Sequence, residues 1–175
     1  MIPLPVVSGG FATVVADPPW RYTDQSPRVR PGYELMSTDA IAGLPVELIT
    51  APRAFCWLWT TNAFLPDGLR VLDAWGFAYR TNVVWEKISA SGGVRIGVGH
   101  YVRNAHELIL VGTRGGLCVR PGDRFPSVVR APRGAHSEKP EVFQDLIETA
   151  SPGPRLELFA RRQRPGWRCW GDQCN

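Results

Sequence analysis

The stretch "VVADPPWRYTDQ", Val14 to Gln25, decides how the whole chain is read. It completes "FATVVA" (11–16), an apolar, β-branched run that predicts a buried strand. Asp17 falls at the carboxyl end of that strand, the edge where open α/β sheets bind their ligands. Pro18 and Pro19 can neither continue a ladder nor enter a helix interior, so the backbone after Asp17 is expected to run stiff and extended with free carbonyls. Trp20 then sets a large flat ring near the carboxylate, either as a platform for a ligand or as an ordinary core residue.

Working outward, short apolar runs alternate with helix-period segments, which predicts an α/β domain with a mostly parallel sheet and helices on both faces. The strands are expected at 11–16, 54–60, 78–85, 107–113 and 155–160. Ser37 or Thr38 caps a short helix that stops near Pro45, and Asn62 opens a second with Leu65, Leu69 and Leu72 on one face. The clearest helix is expected from Glu138 to Ala150, capped by Ser137 with Pro140 in its first turn. Three segments lack a regular pattern: 21–34, 88–105 and 114–137. The last is long for an idle connection. At 175 residues the chain is expected to form a single domain, 1–175.

No apolar run approaches the roughly 20 residues of a membrane span, and no charged segment precedes an apolar one at the N-terminus, so a cytoplasmic protein without a membrane partner is expected. The four cysteines show no CxxC spacing and are expected to be reduced and unpaired. The three histidines, His100, His106 and His136, have no metal-ligand spacing, and no metal is expected. Of the 20 basic residues 18 are arginine, the side chain that binds phosphate bidentately and stacks on bases. The glycines between 92 and 99 do not form a G-x-G-x-x-G turn between strand and helix, which argues against a nicotinamide-dependent oxidoreductase.

A carboxylate, a neighbouring carbonyl and an aromatic face together suit a flipped-out amino base. An exocyclic amine is a poor nucleophile because its lone pair is delocalised into the ring. Accepting its N–H bonds at Asp17 and at the Pro18 carbonyl would aim that lone pair at an electrophile, with orientation and electrostatic placement providing most of the gain.

"ADPPW", "YELMS", "FCWLWTTN", "WGFAYRTNVVWEK", "GHYVRNAHELILVG" and "HSEKPEVFQDLIETASPGPRLELFARRQRPGWRCWGDQ", in this order, resemble the MT-A family of adenine N6-methyltransferases over nearly the whole chain. The resemblance implies a Rossmann-like class I methyltransferase fold with permuted motif order, the catalytic strand first and the S-adenosylmethionine segment last. It implies that Asp17, Pro18, Pro19 and Trp20 form the catalytic tetrad and that Tyr33 belongs to a loop closing over the base. It places His106 where the mRNA enzyme has a lysine that meets the cofactor. It further implies that Glu157, Phe159, Arg161, Gln163, Asp172 and Gln173, with Asp17, hold the cofactor. About 16 residues precede Asp17, where relatives often have a further cofactor-contacting segment, so that part of the pocket is expected to be absent or rebuilt.

Arg28 and Arg30 in the first irregular segment, and Arg114, Arg120, Arg124, Arg130 and Arg133 in the last, are expected to flank the base and meet phosphates. A compact chain without an added RNA-binding module resembles the bacterial and phage members, which points to adenine in DNA as the substrate. The alternatives are adenine in RNA, or a non-catalytic nucleic-acid-binding paralogue that partners an active subunit. A homodimer or a partner subunit is compatible with either.

Overall fold

The structure, a computed structural model, describes residues 3–22, 34–99, 101–134, 138–172 and 174. Seven strands form one continuous sheet: β1 (Phe11–Ala16), β2 (Thr50–Thr60), β3 (Ala78–Ile88), β4 (His106–Arg114), β5 (Val128–Pro132), β6 (Arg155–Leu158) and β7 (Trp167–Trp170). Their order across the sheet is β5-β3-β4-β2-β1-β6-β7. Four pairings are parallel and two, both made by β4, are antiparallel. Every strand except β4 therefore ends at one edge of the sheet, where β4 begins.

The alternation of side chains along each strand sorts the core into two layers. Ala54, Cys56 and Leu58 of β2 join Val14, Ala16, Leu108 and Leu110 on one face. This face is covered by α1 (Thr38–Ala42), α2 (Val46–Ile49) and α3 (Leu65–Ala74), through Ile41, Val46, Ile49, Val71 and Leu72. Phe55, Trp57 and Trp59 point the other way with Val15, Trp85 and Ile109, and α4 (Glu141–Ala150) covers part of that face with Phe143, Ile147 and Ala150. The expected α/β class and two-faced architecture are present.

Several boundaries differ from expectation, each for a local reason. Ser37 caps α1 by accepting the Ala40 N–H. A 3-10 turn, Asn62–Phe64, precedes α3, and the buried face of α3 is Gly68, Val71 and Leu72, with Leu69 exposed. The helix lies so near the sheet that a Cβ on Gly68 would come 2.8 Å from Leu110 Cδ1. Leu72 and Leu65 pack as expected, and it is Gly68 rather than Leu69 that meets the sheet. Pro140 is the N-cap of α4 in extended conformation, so the helix starts at Glu141 and leaves Glu138 and Lys139 outside it; Ser137 is outside the described residues.

Strand β6 ends at Leu158, because Phe159 turns into the left-handed region (φ 60°). The last irregular segment contains β5, and the chain after β6 contains β7, neither of them expected. Cys169 and Cys174 are paired, contrary to the expectation of four free thiols. The Cys174 N–H donates to the Gly171 carbonyl, and this fold-back sets the two Cα atoms 6.1 Å apart, within disulfide reach. Cys56, buried, and Cys118, exposed, are free.

Candidate active site

Parallel strands deliver their C-terminal residues to one edge, and strand parity then selects those on the α4 side. Asp17 follows β1, Trp59 lies near the end of β2, Lys87 near the end of β3, Glu107 at the start of β4 and Glu157 on β6. Lys139, in the extended residues ahead of α4, projects into this group. Its Nζ donates to Asp17 Oδ1 at 2.8 Å and Oδ2 at 2.9 Å, and lies 3.3 Å from Glu107 Oε2. Lys87 Nζ reaches the other Glu107 oxygen at 2.6 Å. The two ammonium groups sit over Trp59 and Trp85, 5.1 and 5.0 Å from the ring centroids.

The result is an alternating chain of charges, Lys87, Glu107, Lys139 and Asp17, each side chain about one-fifth exposed. Burial opposes the charge on Lys139, but Asp17 and Glu107 outweigh it and raise its pKa. Burial likewise opposes ionisation of Glu107, and the two lysines overcome it, lowering its pKa. Asp17 is thus held between a strand end and a fixed cation.

The sequence pattern hides Lys139 by placing it inside the helix. A signal is nevertheless present: Lys87 and Lys139 are the only lysines in a chain whose other 18 basic residues are arginine. The compact ammonium suits a point contact shared by two carboxylates, where the arginine fork suits paired oxygens.

Two cavities meet at Asp17, Phe159 and Arg161. One, of 420 Å³, is lined further by Pro19, Met36, Trp170 and Asp172. The other, of 290 Å³, has Trp59, Lys139 and Glu157 in its wall. Phe159 stands at the junction in a backbone conformation that non-glycine residues rarely adopt, and its ring meets Trp170 edge-on at 5.5 Å.

Burial above all, and then the charge of Asp17, push the Glu157 carboxyl up to about 7, against Arg162 and Arg164. The folded chain holds this proton to higher pH than the unfolded chain, so its contribution to stability diminishes as pH rises from about 4 to about 7. Glu157→Gln is expected to exceed the parent in stability by about 1–3 kcal/mol at pH 8, the gap closing as pH falls to 4. Thermal unfolding across that range checks it; a gap independent of pH would contradict a buried, protonated Glu157 as its cause.

The tetrad is tied down more firmly than its prolines alone imply. The Trp20 N–H donates to the Pro18 carbonyl at 2.9 Å, and the Met36 N–H to the Pro19 carbonyl at 2.9 Å, so neither carbonyl is free. The Pro18 oxygen keeps its second lone pair. Trp20 is 7% exposed, stacks on Phe64 at 5.3 Å and donates its indole N–H to the Trp59 carbonyl at 3.3 Å.

The remaining expected residues fall in several places. Asp17, Glu157, Phe159, Arg161 and Asp172 gather at the cavities. Gln163 lies apart, in a groove beside Glu141 and Arg164. His106 shares the opposite face of β4 with Leu108 and lines neither cavity; the cation against Asp17 is Lys139. Tyr33, Arg28, Arg30 and Gln173 lie outside the described residues, as do His100 and His136.

Of the arginines expected to flank the base, Arg28 and Arg30 are outside the described residues, Arg133 follows β5 at this edge but four strands away from β1, and the others lie elsewhere. Because β4 runs antiparallel, Arg114 emerges at the far edge, where it bonds Thr50 Oγ1 and the Glu47 carbonyl. Arg120 and Arg124 follow it there, while Arg130 is paired with Glu86 on β3.

Among known proteins, the chain is 31% identical over 176 residues to the N6-methyladenosine RNA methyltransferase MTA1 of Cryphonectria parasitica, covering 93% of this chain and 51% of that protein. It is 30% identical over 172 residues to the N(6)-adenosine-methyltransferase catalytic subunit METTL3 of Homo sapiens, covering 95% and 29%. It is 31% identical over 142 residues to the type II methyltransferase M.MunI of Mycoplasma sp, covering 79% and 58%. The chain thus spans under two thirds of the length of each. Relatives named for RNA or for N(6)-adenosine predominate and come from fungi, plants and animals, which overturns the expectation of a DNA substrate and does not single out bacterial or phage members. The sheet and its covering helices are those of a Rossmann-like class I methyltransferase. The pattern that defines MT-A70 matches residues 11–173, nearly the whole sequence, and the chain belongs to the MT-A70 family.

Proposed function

We propose that this chain transfers a methyl group from S-adenosylmethionine to the exocyclic N6 of adenine in RNA. The observation that carries this is Asp17, a strand-end carboxylate fixed by Lys139 where two cavities join. S-adenosylmethionine is the methyl donor typical of the family, and the cavity walls suit it. Asp17 and Lys139 match an amino-acid zwitterion, Glu157 and Arg161 a ribose diol, and Phe159 with Trp170 a flat base. When bound, the donor supplies a sulfonium-activated methyl group.

The chain's own residues orient the acceptor. Each Asp17 oxygen accepts from Lys139 and retains a lone pair, so the carboxylate can also accept an N–H of the amine. The second N–H is directed to the remaining lone pair of the Pro18 carbonyl. The buried Trp20, braced on Phe64, fixes the backbone that carries this oxygen. The amine proton becomes acidic as the methyl arrives, and Asp17 is the acceptor within reach.

Val94, Ile96, Val98, Tyr101 and Val102 are all at least half exposed along one irregular segment, which supports a partner subunit or a second copy covering them. Among the described residues no helix is long and apolar enough to cross a membrane.

The test is nucleoside mass spectrometry on RNA and DNA, each incubated with purified protein and S-adenosylmethionine. N6-methyladenine in RNA is the expected result, and a mark confined to DNA would overturn the substrate assignment.

A further inference from the structure

A third cavity, of 650 Å³, lies on the α4 side of the sheet but toward the opposite end of its strands, between β2, β3, β4 and the segment that follows Arg114. Trp57 forms part of its wall. It is two residues before Trp59 on the same face, roughly 7 Å along the strand. Phe125, from the irregular segment, stacks on Trp57 with centroids 6.1 Å apart and planes 22° off parallel.

Among the described residues the wall contains no carboxylate, while Arg80 and Arg124 supply two positive charges. Arg80 Nε donates to Thr113 Oγ1 at 2.9 Å and Arg124 Nε to the Val119 carbonyl at 3.3 Å, and neither guanidinium has a carboxylate partner among the described residues.

Among the described residues the Trp57 indole N–H is buried without an acceptor, whereas Trp20, Trp75 and Trp85 each donate to a main-chain carbonyl. A buried donor left open in this way calls for an explanation. A ligand ring that presses the half-buried Phe125 aside would bring it an acceptor.

We propose that this cavity takes one nucleotide of the RNA strand on which the Asp17 site works, its base against Trp57 and Phe125 and its phosphate on Arg80 and Arg124. The volume suits a nucleotide, and aromatic walls with unpaired guanidiniums are how single strands are held without a sequence code. The inference rests on RNA as the substrate. It gives the segment around Arg120 and Arg124, remote from the methyl site, a strand to hold.

Cys118 supplies a built-in probe. It is an exposed free thiol in the cavity wall, and the other free thiol, Cys56, is fully buried. With S-adenosylhomocysteine present throughout, the rate of maleimide labelling at Cys118 is measured alone, with adenosine 5′-monophosphate, and with a 12-nucleotide single-stranded RNA. The RNA is expected to slow labelling about fivefold or more. The double variant Arg80→Ala, Arg124→Ala is expected to remove that protection and weaken RNA binding about tenfold, leaving S-adenosylhomocysteine affinity and melting temperature unchanged. Unprotected Cys118, or RNA affinity indifferent to the double variant, would overturn the proposal. Protection by the mononucleotide without protection by RNA would overturn it as a strand site. Methyl transfer enters none of these readouts, so a failure of the proposed reaction is seen separately, by nucleoside analysis.

Discussion

Asp17→Ala is expected to reduce methyl transfer by at least about 10²–10³-fold while the protein still folds. Asp17 is partly exposed at a strand end, and its side chain packs no core layer. What it contributes is position. Without it the acceptor amine has no partner to fix its lone pair, and Lys139 retains only Glu107. Asp17→Asn separates shape from charge: it keeps one acceptor oxygen but can hold neither the cation nor a developing positive nitrogen as strongly. Initial rates with saturating donor and RNA, beside melting curves of the same preparations, distinguish lost chemistry from lost fold. A variant at Asp17 with near-normal rate would place the chemistry elsewhere.

Lys139→Met is expected to impair both stability and activity. Removing the cation leaves Asp17 and Glu107 as neighbouring carboxylates beside Glu157, with Lys87 still at Glu107 and Arg162 and Arg164 acting on Glu157. Breaking a partly buried network from one side costs about 2–4 kcal/mol, because the remaining charges are left uncompensated. Protons relieve that repulsion, so the deficit should shrink as pH falls from about 5 toward about 3, below the ordinary carboxylate pKa. The sign follows from Glu107: Lys139 lowers its folded pKa, so the stability it adds is present above the ordinary carboxylate pKa and is lost on acidification. Denaturant titrations at both pH values measure this. Arginine at 139 is expected to restore stability better than activity, since its fork does not reproduce the ammonium contact shared by Asp17 and Glu107.

The central strands were legible because their burial imposes a pattern. "FATVVA" and "AFCWLW" are apolar on both faces, as strands covered by helices on each side must be. Strand β5 was not legible, since Val128 and Arg130 of this edge strand face solvent and read like the loop around them. Strand β7, four residues with a cysteine, is too short to show a period. At the site, Asp17 could be found from strand end and prolines alone. Lys139 could not, because its meaning depends on Pro140 capping the helix rather than lying within its first turn. The far-edge position of the arginine segment follows from the antiparallel direction of β4, a pairing that sequence periodicity does not encode.

The bond between Lys139 and Asp17 joins residues 122 positions apart. Around it stand Trp59, Lys87, Glu107 and Glu157, each from a different strand, so no fragment and no partly paired sheet contains the site. Closing so long a loop is entropically unfavourable until β1, β2, β4 and β6 have found one another. Donor binding during refolding would thus report completion of the topology rather than early collapse, lagging the burial of tryptophan in the central strands.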